Sequence, residues 1–475
     1  MTIKKVEADK DALRVGFSHL LQAFFGLLKL KVLTNILGPS GYSIYALLFS
    51  SFSTSTALAK GAVNFITVKR FSSLKDNQKK LKNSSFSRLQ KISFTYSLVA
   101  CLLQLPFTYY IFSTQGDIHY FILTSIAFVF FSVNGAFAMS TIQGLREFKN
   151  YSLTYFISTS MGSILQIFAV LYFYDQLKIH AALTLSAVGQ FLIQYYSLSM
   201  LRKSLEISGV RKAKISRRYF IISSINGISK ASSAALIVFS QFLIVFMLSL
   251  SNQENLAANY FAYNGIVIQA SSIILIGVSS AFFPSLVAIY RNSRSTFEFE
   301  VKKQSSMIAS FLFPLSLFLI AFENEIIKFL INEDFLSNKI IYRALVIASF
   351  IASCKQAFDL SLQCHEKNKY FVVATILSSI SLVSLTFFGL KFFGIIGFSY
   401  ALIAHSLVIS CLIIFLSSKI FLFENVFRYV LLLTMLAFLL ILFTVYKDSL
   451  NLLYVSLILS LPFINSLFQL KKILK

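Results

Sequence analysis

Apolar residues follow one another in unbroken stretches of roughly the ~20 residues that a bilayer-spanning helix needs. Short clusters of Lys, Arg, Asn, Gly and Pro separate the stretches. Apolar and polar positions do not alternate along them, so they do not read as strands of a membrane barrel. The pattern predicts fourteen helices, over 12–37, 41–68, 89–113, 118–145, 150–174, 181–202, 217–250, 255–290, 303–331, 338–364, 369–393, 395–418, 426–446 and 449–469. The segments 217–250 and 255–290 exceed one bilayer thickness and are expected to tilt or to extend beyond it. The predicted fold class is an all-α polytopic membrane protein. The first apolar segment lacks a small-residue cleavage site and is expected to remain as a helix.

Composition narrows the class. Of 475 residues, 56% are hydrophobic and 13% charged, against the ~25% charged of a soluble domain, and mean hydropathy is +0.74. These values exclude a disordered chain and a soluble globular enzyme. The net charge of +24 is sorted by loop. With the N-terminus in the cytoplasm, 32 of the 43 Lys and Arg fall on cytoplasmic segments, 6 on outer ones and 5 inside helices. This is the asymmetry of the positive-inside rule, and it puts both termini in the cytoplasm. The two most basic stretches, 69–91 and 202–218, read as topogenic charge that meets anionic lipid heads. No basic stretch is interleaved with stacking aromatics, so no nucleic-acid partner is expected.

The basic connection after the sixth helix reads as a linker. It gives an N-lobe over 1–205, a cytoplasmic linker over 206–216 and a C-lobe over 217–420. Two additional helices and a basic tail follow over 421–475. Helices one and seven each start with basic residues and carry one deep lysine, Lys29 and Lys230. That suggests two halves related by an axis along the membrane normal.

Charges inside the membrane are the best pointers to function, because each costs ~2.5–3.5 kcal/mol on insertion scales. Lys29, Lys31, Lys60, Lys230, Lys355 and Asp359 lie within the predicted helices. At about 100° per residue, His19, Gln22, Gly26 and Lys29 share one helical face, and Lys31 points elsewhere. Ser53, Thr56, Lys60, Asn64 and Thr67 share another, and Asn226, Lys230, Ser233 and Gln241 a third. Such stripes are expected to face protein or a water-filled cavity. The expected substrate-binding residues are therefore Lys29, Lys60, Lys230, Lys355, His19, Gln22, Asn64 and Asn226. Lys355 and Asp359, four residues apart, can pair on one face. Two readings of that pair stand: a structural ion pair, or a titrating Asp359 that couples transport to a proton or cation. The positive balance suits an anion. A lipid-linked diphosphate would fit, with lysines as point charges on phosphate and Ser, Asn and Gln on sugar hydroxyls. No H-E-x-x-H, G-x-S-x-G, P-loop or C-x-x-C pattern occurs, so neither cofactor nor metal is expected.

Five places carry a family resemblance. They are "KLKVLTNILGPSGYSIYALL" with the Gly38-Pro39 turn, and "LAKGAVNFITVKRFSSLKDN" with its basic exit. The others are "QGLREFKNY" with Gly144 and Arg146, "GVSSAFFPSLVAIYR" with Pro284 breaking the end of helix eight, and "FFGIIGFSYA" with Gly394 and Gly397. In this order, over roughly residues 10–420, the chain resembles the Wzx-type O-antigen and lipid III flippases. These belong to the multidrug/oligosaccharidyl-lipid/polysaccharide (MOP) exporter superfamily. The resemblance implies two six-helix bundles that open alternately to the two membrane faces. It implies a transporter, not an enzyme, in the bacterial inner membrane. Its substrate would be an undecaprenyl-diphosphate-linked oligosaccharide, an O-antigen or similar repeat unit, moved from the cytoplasmic to the periplasmic leaflet. Membrane lipids are the surrounding partner, and a polysaccharide polymerase is the candidate protein partner. The two helices after the twelfth depart from many relatives.

Two other classes compete. A drug or cation antiporter would need acids on the polar faces. A membrane enzyme, such as a polymerase or ligase, would need an acid or nucleophile and a sizeable loop. The topology is testable with fusions. Alkaline phosphatase at the C-terminus is expected to be inactive, and the same reporter in the predicted outer loop near residue 115 active; the reverse pattern would overturn the orientation.

Overall fold

In hydrocarbon, peptide N–H and C=O groups have to be paired within the segment that carries them, and a lone segment does this as a helix. In the computed structural model every element among the described residues is helical. The backbone is described for residues 2–72, 74, 79–112, 118–145, 147–173, 178–205, 217–251, 255–290, 294–364, 369–421 and 426–446. Within these ranges the main stretches without described side chains are 2–17, 217–230 and 276–285.

The first helix, α1 (Thr2–Ser72), is broken at Gly38, where φ is 62° and ψ 179°. A side chain at that φ would be strained, and Pro39 follows, so the break falls at the predicted Gly38-Pro39 turn. Then come α2 (Lys79–Phe112), α3 (Ile118–Gly144), α4 (Phe148–Tyr172), α5 (Lys178–Ser204) and α6 (Arg217–Leu250). Lys69 and Arg70 end α1, and Arg202 and Lys203 end α5, where cations meet the negative end of the helix dipole.

The remaining elements are α7 (Leu256–Tyr290), α8 (Arg294–Ala321), α9 (Glu323–Leu330), a 3-10 helix (Glu333–Asn338) and α10 (Lys339–Cys354). The last three are α11 (Gln356–Cys364), α12 (Lys369–Phe421) and α13 (Val426–Tyr446). Helix α7 runs on through Pro284 to Tyr290 rather than breaking there. The predicted helix over 338–364 is split at Lys355 into α10 and α11. The predicted helix over 303–331 is split at Phe322 into α8 and α9, and the 3-10 helix follows. Arg343 anchors α9, donating from Nε and Nη2 to the buried Glu323 carboxylate at 2.8 and 2.7 Å. The Asn332 side chain caps the 3-10 helix by accepting from the Glu333 N–H at 2.6 Å. The predicted linker 206–216 and fourteenth helix 449–469 lie outside the described residues.

Six helices among the described residues are long and apolar enough to cross a membrane. They are Ser18–Ser72, His119–Gly144, Phe148–Tyr172, Ser295–Ala321, Glu333–Cys354 and Val372–Lys419. The chain is a multi-pass membrane protein. It forms two compact units, one of Phe17–Phe246 and one of Met1–Gly16 with Met247–Lys475.

In the first unit, α3 packs against α2 and α5, and α4 against α5. Phe71, Phe86, Val133, Phe137, Ile142 and Leu198 belong to its apolar core. Gly144 lets the end of α3 meet the end of α1: a Cβ there would lie 2.8 Å from Phe71 Cβ and 3.2 Å from Val68 Cα. In the second unit, α12 folds back on itself at Gly394, with φ 60° and ψ −146°. Its arms touch at Gly389 and Gly397, and Ser381 Oγ meets His405 Nδ1 at 2.9 Å. Helix α10 packs on α12, and Ser410 Oγ donates to the Ile351 carbonyl at 3.2 Å.

A Cβ at Gly389 would lie 2.5 Å from the Gly397 carbonyl oxygen, which belongs to backbone and cannot swing aside. Gly389→Ala is expected to destabilise the protein by about 1–3 kcal/mol, the usual cost of overpacking. Thermal unfolding of the purified protein in detergent measures it; an unchanged midpoint would contradict the close contact.

Candidate functional site

The first unit holds a half-open polar cavity of about 200 Å³ among α1, α3, α4 and α5. Helix α1 contributes Lys60 and Asn64, one turn apart on the predicted polar face. Helix α3 supplies Phe131, Ser132, Ser140 and Gln143. Tyr151 and Tyr155 come from α4, and Gln190, Phe191 and Gln194 from α5. Among the described residues Lys60 is the only charged one in this lining. It forms no ion pair among the described residues, and its Nζ lies 5.9 Å from the Phe128 ring centroid.

Side-chain contacts between helices hold the polar wall in place. Ser140 donates to the Asn64 amide oxygen and so joins α3 to α1. Gln194 Nε2 donates to Ser158 Oγ of α4 at 3.2 Å, and within α5 Gln190 Nε2 donates to Ser186 Oγ at 3.1 Å. Each glutamine sits against a glycine of a facing helix, Gln190 on Gly162 and Gln194 on Gly135. A Cβ at either glycine would collide with the amide, so the missing side chain is what makes room for it. The Tyr151 and Tyr155 rings stack at 6.0 Å and 11°, and Phe131 meets Phe191 at 5.2 Å.

The structure brings some of the expected residues together. Lys60 and Asn64 line the cavity. His19 and Gln22 sit behind it: His19 Nδ1 and Gln22 Oε1 are 3.2 Å apart, and the His19 ring is 4.7 Å from that of Tyr155. Lys29 is not part of the lining; it is half-buried and forms no ion pair among the described residues. The side chains of Asn226 and Lys230 lie outside the described residues. Their helix can still be placed. α6 crosses α1 where a Cβ on Gly61 would lie 2.7 Å from Ala231 Cβ. The crossing is one residue past Lys60 and one past Lys230.

Lys355 and Asp359 belong to the second unit, apart from this cavity. They form the expected ion pair across the break between α10 and α11. The Asp359 N–H also donates to the Lys355 carbonyl at 3.0 Å, and Asp359 Oδ1 is buried without a hydrogen-bond partner.

The amides of α5 lie on a helix with no charge inside the membrane, and the sequence expectations do not include them. Ser186, Gln190 and Gln194 recur every fourth residue on α5, a polar stripe as regular as that around Lys60. Tyr151, Tyr155 and Gln143 carry no comparable signal, because nothing in a lone apolar helix says which neighbour it meets.

Sequence comparison matches residues 10–290 to a family described as polysaccharide biosynthesis protein. No curated protein matches the chain. Among solved structures, the lipid II flippase MurJ in an inward closed conformation superposes with a TM-score of 0.64 at 15% identity, covering 93% of this chain and 99% of that one. A multidrug resistance MATE family transporter of the MOP superfamily, outward-facing, gives 0.62 at 14% identity, covering 87% and 96%. An inward-facing form gives 0.62 at 15%, covering 85% and 95%. At these identities the likeness establishes the fold, and the family match covers more than half of the sequence. The chain belongs to the polysaccharide biosynthesis protein family, built on the helical fold that MurJ and the MATE transporters share.

Proposed function

We propose that the protein flips a lipid-linked oligosaccharide across the bacterial inner membrane. The substrate is an undecaprenyl-diphosphate-linked repeat unit of O-antigen or a similar surface polysaccharide, carried from the cytoplasmic to the periplasmic leaflet. One observation carries this reading: a cavity among apolar helices lined by amides, aromatic rings and a lysine without an ion pair among the described residues, in a chain of a polysaccharide biosynthesis family. Amides and hydroxyls suit sugar hydroxyls, and a lysine suits an anion. The flippase fold of MurJ supports the same conclusion.

The mechanism in this reading is alternating access by two lobes, 1–205 and 217–420, joined through 206–216. The polar head is carried through the protein while the prenyl tail stays in lipid. Lys60, with Lys29 and Lys230, holds the anionic head, and His19, Gln22, Asn64 and Asn226 complete the polar surface. Lys355 and Asp359 serve coupling: protonation of Asp359, or its exchange of Lys355 for a cation, would release the ion pair between α10 and α11. Both termini lie in the cytoplasm, and a polysaccharide polymerase receives the product.

The likeness to multidrug transporters raises a second reading, extrusion of an organic cation. Such a cargo needs a carboxylate in its cavity. The lining of the first unit offers an ammonium and no acid.

Depletion of the protein in its native host tests the proposal. Complete lipid-linked units are expected to accumulate on the cytoplasmic leaflet, as read by a membrane-impermeant probe on intact spheroplasts. Accumulation of single units on the outer leaflet would instead place the block after flipping and favour a polymerase or ligase. For the site, Lys60→Ala and Lys230→Ala are expected to lower polysaccharide export about tenfold or more at equal membrane abundance, the scale of losing one charge-assisted contact. Lys31→Ala, off the polar face, should leave export within about twofold. Equal loss in all three would refute the assignment.

A further inference from the structure

The tip of the α12 hairpin joins one lysine to exposed aromatic rings at an edge of the membrane-spanning region. We propose that it is a docking site for a phospholipid whose headgroup carries a net negative charge. Lys391 meets the phosphate, and the rings lie among the glycerol and upper acyl groups. The site belongs to the second unit and is independent of the cargo and of the transport reading.

Length places the tip. Helix α12 begins at Lys369, and Lys391 follows 22 residues later on the same arm, just before the turn at Gly394. At 1.5 Å per residue the two lysines are ~33 Å apart along the axis, against a hydrocarbon core of ~30 Å. Lys391 therefore stands at headgroup level on the side opposite Lys369. Packing orients the tip. Phe398, just past the turn, is buried, and its ring meets that of Tyr260 on α7 at 5.8 Å and 79°. Phe387, Phe388, Phe392 and Phe393 are exposed, the last two at 65% and 75%. One side of the hairpin is held against α7, and the other presents rings outward.

Charge separates this tip from an ordinary aromatic belt. Tyr263, one turn along α7 from Tyr260, donates to the Phe335 carbonyl, so the α9 and 3-10 segment lies at the same end of the unit. There each of two cations is held by a carboxylate: Lys328 by Glu333 at 2.8 Å and Arg343 by Glu323 at 2.7 Å. Lys391 has no ion pair among the described residues. Its Nζ lies instead 5.9 Å from the Phe387 ring centroid and 5.8 Å from that of Phe392. Phe392 in turn stacks on Phe388 at 6.1 Å and 8°. Ring faces are weak partners for an exposed ammonium, and its three N–H donors stay open to phosphate oxygens. A zwitterionic headgroup brings its own cation to its phosphate. An anionic headgroup leaves a net charge for Lys391 to balance.

The chain has no tryptophan, so one introduced indole is an unshared reporter. Phe392→Trp is made in the full-length protein, in nanodiscs of phosphatidylglycerol and phosphatidylcholine with one of the two brominated on its acyl chains. At equal proportions, quenching is expected to give a relative binding constant about fivefold in favour of phosphatidylglycerol, the scale of one lysine at a charged interface. Adding Lys391→Gln should bring the ratio within about twofold of one, and adding Lys391→Arg should keep it. Phe438→Trp, on the exposed face of α13, is the control and should also give a ratio within about twofold of one. Phe392, Phe438 and Lys391 are all exposed, so these variants are expected to fold. Equal quenching by the two lipids at position 392 would leave a general aromatic belt and overturn the site. A ratio unchanged by Lys391→Gln, or the same ratio at position 438, would overturn it too. Absence of quenching by either lipid would remove the tip from the bilayer and point to a protein that covers it.

Discussion

A peptide group in a bilayer has no water to bond, and every turn of this chain is arranged around that shortage. Each described segment closes its own hydrogen bonds as a helix, and α1 and α12 turn at a residue that can take an unusual conformation. Gly38 and Gly394 do this at φ near +60°. The same shortage acts on side chains. Many serine and threonine hydroxyls bond a carbonyl three or four residues back, as Thr34, Ser50, Thr141 and Ser271 do. Groups too long to bond their own helix have to find a neighbour or a cavity.

Helix contacts in this solvent gain little from hydrophobicity, since lipid tails are as apolar as leucine. Close approach of backbones replaces it, and glycine permits the approach. Gly389 against Gly397, Gly61 against Ala231 and Gly144 against Val68 each join two helices at distances a side chain would block. At Gly135 and Gly162 the space is used differently. There it admits the ends of Gln194 and Gln190, so polar groups enter the helix interface of the first unit. The cavity follows from that choice: amides that would be costly against lipid are held between helices, with Gln194 Oε1 seated on Gly135 and Gln190 Nε2 on Gly162.

The two units keep a buried lysine in opposite ways. Lys355 has its counter-ion one turn away in Asp359, so its charge is balanced within the chain. Lys60 has no carboxylate partner among the described residues; its Nζ lies 5.9 Å from the Phe128 ring centroid, and it lines a half-open cavity. The first arrangement stores a pair that a proton or cation could separate. The second leaves a lysine without an ion pair among the described residues. This contrast is the ground on which binding is proposed at Lys60 and coupling at Asp359.

The sequence by itself determined the solvent of this protein, its helical class and the places where helices break at Gly38 and Gly394. These follow from apolar run length and from the conformational reach of glycine, both local properties. It also placed Lys60 and Asn64 on one polar face and paired Lys355 with Asp359, because i and i+4 neighbours are set by the helix alone. Tertiary structure decided the rest. The splits of the predicted helices at Phe322 and Lys355 go with an Arg343–Glu323 anchor twenty residues apart and an ion pair at the break. The wall of the cavity joins α3, α4 and α5 to α1, from residues as far apart as Lys60 and Gln194. An apolar helix shows no preference for one neighbour over another until small residues let two backbones meet. For that reason the amides and aromatic rings around Lys60 became a site only when the helices packed.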